Sequence, residues 1–213
     1  MRLAALTLAL AAWPLAAGAQ TTAVLPDAGA LSMGTTAVRS GGVITIDGGT
    51  LAGSNLFHSF AQFSLAAGDT AQWVRSAGGG ASISNVINRV TGGQVSQIAG
   101  TLDSTALPNA SFYFINPAGI VFSASAHVNV PAAAYFSTAN ELRFADATKF
   151  AIATPAGSTL SIAPPQSFGF VGGQGAISVN GVGQDFAPAS AALSFAASDI
   201  QVATRTCCSV GWT

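Results

Sequence analysis

Charge is what this chain has least of. With seven basic and eight acidic residues among 213, a charged fraction of 7%, it offers neither a basic footprint for nucleic acid nor a long solvated charged face. No nucleic-acid partner is expected. Histidine and cysteine are equally scarce, two of each. Cys207 and Cys208 are adjacent and close to the C-terminus, so they cannot staple a long loop to each other. A structural metal site needs about four ligands, and His58 and His127 have no clustered cysteines or acids to join them. No metal or cofactor is expected, and both histidines read as packing or surface residues. The acids are scattered singly, with Glu141 and Asp146 the nearest pair, so the paired carboxylates of a glycosidase are missing. A G-x-S-x-G elbow, a phosphate loop and a nucleophile beside a base are missing too. The sequence therefore predicts a protein that is not an enzyme.

Helix signals are also rare, because Gly, Ser, Thr and Ala interrupt nearly every run before apolar residues recur at a spacing of three or four. What remains is apolar and aromatic. Half of the chain is hydrophobic and 13 residues are Phe, which rules out a disordered chain and supplies a core. The first residues carry Arg2, an apolar run from Leu3 to Leu15 and the small residues Ala17-Gly18-Ala19. That layout predicts a secretory signal peptide over 1–19, since the run falls short of the about 20 residues a membrane-spanning helix needs. A single domain over 20–200 is expected to follow. Residues 201–213 read as a loose tail and as the end of a truncated frame, because alternation stops at Ala203.

Short alternating segments predict strands at 43–46, 57–65, 71–74, 83–90, 95–102, 112–122, 128–130, 141–144, 150–152, 159–162, 176–179 and 199–202, separated by Gly-, Pro- and Asn-rich turns. The fold class is all-β. Asn116-Pro117-Ala118-Gly119-Ile120 places a type I turn between two apolar strands: Asn suits the first position, Pro the second and Gly the fourth. Phe112 to Ile115 leaves neither strand face polar, so this strand is expected to be covered on both sides. Gly42-Val43-Ile44-Thr45-Ile46-Asp47-Gly48 is echoed by Gly175-Ala176-Ile177-Ser178-Val179-Asn180-Gly181, as coils of one solenoid would be. A solenoid also tolerates few charges, because only its end coils expose strand edges. Residues 21–38 could fold over the first coil as a cap.

Five strings in order then carry a resemblance. They are Asn55-Leu56-Phe57-His58-Ser59-Phe60 with Phe63, Ile83 through Gly93, Ser96 through Leu102, Ile115 through Phe122, and Ser137-Thr138-Ala139. Over roughly 30–181 the chain resembles the filamentous haemagglutinin type of two-partner secretion domain, the N-terminal module of large exoproteins of Gram-negative bacteria. The resemblance implies a right-handed, single-stranded parallel β-helix with an N-terminal cap and extra-helical strands. It also implies export through the periplasm to the cell surface, with a dedicated outer-membrane β-barrel transporter as partner. A missing downstream region would then carry any adhesin activity toward host glycan or protein.

The family's Asn-Pro-x-Gly-Ile signature falls on Asn116, Pro117, Gly119 and Ile120, and a second string falls on Asn85, Ile87, Arg89, Val90, Thr91 and Gly92. Many members have Asn at Ala118, Gly at Ser123 and a further upstream Asn-Pro that this chain lacks. For Asn116 both transporter recognition and a purely conformational turn stay open. Arg89 could meet an acidic patch on the transporter, and the expectation is a surface ion pair with a carboxylate such as Asp103. Two other readings are a stand-alone surface adhesin, binding carbohydrate or host protein through the β-helix face, and a small outer-membrane barrel. The strands look too short for the barrel.

Overall fold

The computed structural model describes residues 20–76, 82–152, 154–183, 186–187 and 192–203. Residues 1–19, where a signal peptide is expected, and Cys207 and Cys208 lie outside them. The chain enters with β1 (Ala23–Pro26) and β2 (Thr35–Ser40), then turns into β3 (Val43–Gly48), β4 (Thr50–Ala52), β5 (Asn55–Ser64) and β6 (Thr70–Trp73). From there the pattern becomes periodic. β7 (Asn85–Val90), β8 (Ser96–Ile98) and β9 (Thr101–Asp103) form one coil, and β10 (Ser111–Ile115), β11 (Ile120–Phe122) and β12 (His127–Asn129) form the next. β13 (Ala134–Ser137) begins another coil. The chain then leaves the stack to build β14 (Glu141–Phe144), β15 (Lys149–Ala151) and β16 (Pro165–Gly169). It rejoins as β17 (Ile177–Asn180), and β18 (Leu193–Ala196) and β19 (Ile200–Ala203) follow.

Pairing turns this order into a β-solenoid of about six turns. One face stacks β5, β7, β10, β13 and β18 in parallel. A second stacks β8, β11, β17 and β19, and a third stacks β3, β6, β9 and β12. The N-terminal cap is antiparallel: β2 covers the edge of β3 and β1 covers the edge of β5. This shields the first coil, whose unpaired backbone would otherwise invite aggregation.

The alternation of each strand fixes what points inward. Leu56, Val86, Phe112 and Ala134 stand in one column of the first face. Ile120 and Ile177 share a column on the second, and Ile44, Ala71, Leu102 and Val128 share one on the third. Aromatic contacts run along the first face, with Phe63 to Phe114 at 5.0 Å, and between faces, with Trp73 to Phe112 at 4.8 Å and Phe122 to Phe136 at 5.0 Å between ring centres. These rings fill the interior that the three sheets enclose.

β14, β15 and β16 form an antiparallel sheet outside the coil. Its Leu142, Phe144 and Phe150 form a second apolar cluster with Phe57, Ile87, Tyr113 and Ile115, which point outward from β5, β7 and β10. The strand at Phe112 to Ile115 is thus covered on both faces, as its composition predicts.

Several details differ from the sequence reading. The segment expected as one strand over 95–102 is two, broken at the Ala99-Gly100 corner. Residues 159–162 form no strand; their backbone is a loop returning to β16, and Ser161 binds back onto Asp146. β1, β2, β4, β13, β16 and β18 carry too few alternating residues to stand out in the sequence. The two Gly-bounded echoes are both solenoid rungs, β3 and β17, but they lie on different faces.

Candidate functional site

The two sequence motifs occupy neighbouring corners and meet at one groove. Ile115 of β10 pairs with Arg89 of β7, so the turn after β10 lies directly above the turn after β7. A groove of about 340 Å³ separates them, lined among others by Thr91, Gly93, Asn116, Pro117, Ala118 and Asn140.

The Asn116 turn closes with the Gly119 amide donating to the Asn116 carbonyl at 3.1 Å, the bond a type I turn makes between its ends. Asn116 is fully buried, and its side chain uses every polar atom. Oδ1 accepts from the Ala118 amide at 3.0 Å, while Nδ2 donates to the Gln94 carbonyl at 2.8 Å and to Ser96 Oγ at 2.9 Å. Its backbone amide donates to the Ser137 carbonyl at 2.9 Å, and the Gly175 amide donates to the Pro117 carbonyl at 2.7 Å. One asparagine thereby ties its own coil to the coils on either side. Gly119 has φ +124°, a conformation side chains rarely accept. Ile120 points inward and is fully buried.

The second motif alternates. Val90 points into the core, and Asn85, Ile87 and Arg89 point outward, where the extra-helical segment covers them. Asn85 Nδ2 donates to Asn55 Oδ1 at 2.8 Å, and Asn55 Nδ2 donates onward to the carbonyls of Ser161 and Ala163 at 2.8 and 2.7 Å. Arg89 holds the other end of the same excursion. Nη1 donates to the Ala151 carbonyl at 2.9 Å and Ser158 Oγ at 2.8 Å, and the guanidinium carbon lies 4.6 Å from the Phe150 ring centre. Nε donates to Ser59 Oγ at 2.6 Å, and Nη2 reaches the Leu31 carbonyl at 3.5 Å. Ser59 Oγ donates to Asp27 Oδ2 at 2.5 Å, and Thr91 Oγ1 donates to the same carboxylate at 2.9 Å.

Arg89 is therefore no surface ion pair. It is 1% exposed, and Asp103 lies on another face, bound to Thr105 and Asn129. Burial lowers the Arg89 pKa from its ordinary value, and the nearby Asp27 carboxylate opposes that shift. Sequence reasoning treats a lone Arg as solvated. The one hint against that was Ile87, the apolar residue two positions earlier on the same outward face, which joins the second apolar cluster. Gly92 completes the motif by necessity: a Cβ there would sit 2.0 Å from the Ala61 carbonyl oxygen of the coil below.

His58 is fully buried, with Nδ1 3.1 Å from Thr35 Oγ1 and Nε2 without a partner. It is a packing residue. His127 sits at the exposed edge of β12. Among the described residues no group of three His, Cys, Asp or Glu could hold a metal ion. Glu141 binds Arg143 and Lys149 at 2.7 and 3.2 Å, whereas Asp146 binds Ser161 and Thr148. The nearest acids in sequence thus serve separate structural contacts.

The family of the TPS secretion domain matches residues 22–208 of the chain. Among curated proteins none matches. A solved structure described as the crystal structure of the HMW1 secretion domain from Haemophilus influenzae is similar at 19% identity, covering 87% of this chain and 42% of that one with a TM-score of 0.41. The chain thus spans less than half the length of that structure.

Proposed function

The chain belongs to the TPS secretion domain family, a module of two-partner secretion exoproteins, and from this we propose that it directs export of an adhesin or haemagglutinin-like exoprotein by engaging a dedicated outer-membrane β-barrel transporter. The observation that carries the reading is the family match across 22–208, a span that contains both the Asn116 and the Asn85–Gly92 motifs. The route runs from a cleaved signal peptide over 1–19 through the periplasm to the cell surface, with 20–200 as the exported domain. An antiparallel cap and stacked parallel coils suit that route, because each new coil can add to the one already formed.

Expression with and without a candidate transporter in the outer membrane tests the proposal. Transporter-dependent appearance of the domain outside the cell is the expected result, and equal release without the transporter would refute it. Asn116→Ala separates recognition from turn formation. Losing three side-chain hydrogen bonds in a buried corner should lower folding stability by about 2–3 kcal/mol and also reduce export. A purified variant that is less stable yet exported at the normal rate would remove Asn116 from the export role and leave it a conformational residue.

A further inference from the structure

Three stretches distant in sequence converge on one guanidinium. The cap contributes Asp27, through Ser59 Oγ, and the Leu31 carbonyl. The coil contributes Arg89 itself and Ser59. The excursion contributes the Phe150 ring, the Ala151 carbonyl and Ser158 Oγ. Ser158 Oγ also bonds the Ala151 amide and carbonyl, so the excursion presents a preformed acceptor site.

Without the excursion, Arg89 would stand on the outer face of β5, β7 and β10, with Nη1 solvated. Without the cap, it would lose the neighbouring carboxylate. Enclosing a cation that lacks part of its partner set is penalised by desolvation, whereas a complete set offsets that penalty. Either flap therefore closes over Arg89 at a penalty unless the other is present.

We propose that Arg89 is a conditional latch, through which the N-terminal cap and the extra-helical excursion dock cooperatively. The outer face of the β5–β7–β10 sheet stays open until residues through Ser158 are in place, and closure then locks the cap and the excursion onto the same face. This inference stands on the geometry of the folded chain and does not depend on the export reading.

Amide hydrogen exchange of the whole chain tests it, using Ser158→Ala and Asp27→Asn singly and together. In the folded protein the Asp27 amide is bonded to the Ser59 carbonyl and the Thr159 amide to the Lys149 carbonyl, so the two report on cap and excursion. Ser158→Ala removes a bond to a charged group, and it should speed exchange about tenfold at Thr159 and by a similar factor at Asp27, across the latch. Asp27→Asn should act reciprocally on Thr159, and the double variant should exchange more slowly than the product of the single effects. In an Arg89→Met background the cross effects should vanish while the local effects remain. If Ser158→Ala speeds exchange only in its own segment, or the cross effect survives Arg89→Met, the latch is wrong. Should Arg89→Met fail to fold, the double variant decides alone: independent effects overturn the proposal and sub-additive effects support it.

Discussion

At Gly92 the corner has no room for a side chain. The limit is backbone against backbone, since the atom in the way is the Ala61 carbonyl oxygen of the coil below, and no rotamer change relieves it. Gly92→Ala must push two coils apart, and strain of this kind costs about 1–3 kcal/mol, occasionally more. Gly157 provides the contrast: a Cβ there meets nothing within 4 Å, so Gly157→Ala should change stability by about 0.5 kcal/mol or less. Urea unfolding of both variants checks the pair. Comparable stability in the two would mean that the stack yields at its corners. The same corner logic explains why a motif can look like a recognition signal in the sequence while every polar atom of Asn116 is consumed inside the fold.

At the scale of elements, the second apolar cluster is what holds the extra-helical sheet to the coil. Phe150 is fully buried, 4.9 Å from the Phe57 ring centre, and forms the floor beneath Arg89. Phe150→Ala should therefore cost about 3–5 kcal/mol and concentrate the loss in β14 to β16, which solenoid strands can outlast because their pairing is with other coils. Exchange protection lost evenly over all strands would count against that separation. Much of this element structure was legible beforehand. Runs such as Phe112 to Ile115 announce a strand buried on both sides, and Asn116-Pro117 with Gly119 announces its turn. β13 and β18 were not legible, because Ala134-Tyr135-Phe136-Ser137 and Leu193-Ser194-Phe195-Ala196 are too short to alternate convincingly and become strands only by pairing with the coil beneath. Arg89 was misread for a related reason. Its burial depends on an excursion some sixty positions later, with which it bonds at Ala151, and no local pattern encodes that contact.

For the whole molecule, a stacked interior of buried apolar side chains makes folding sensitive to any group that prefers charge in water. His58 is such a group. Burial depresses its pKa from 6.5 to about 3, with Asp47 pulling it upward and Arg75 pushing it down. The folded chain thus holds the neutral imidazole, while the unfolded chain takes up a proton as pH falls below about 6.5. The stabilisation is complete above that pH and is lost as pH drops from 6.5 toward 3, because the unfolded state binds more protons. Each unit of that window is worth about 1.4 kcal/mol, so stability should fall by about 2–3 kcal/mol between pH 6.5 and 4.5. The carboxylate of Glu141, whose pKa is lowered by hydrogen bonding from Arg143 against the opposing effect of burial, begins to add its own loss within about one pH unit of its ordinary value of 4.5, so the part of the window above about pH 5.5 isolates the histidine. His58→Gln keeps a hydrogen-bonding partner for Thr35 and cannot titrate. Denaturant unfolding across pH 4.5–6.5 should slope steeply for the natural chain and run nearly level for His58→Gln; matching slopes in the two would show that His58 is not the acid-sensitive group of the stack.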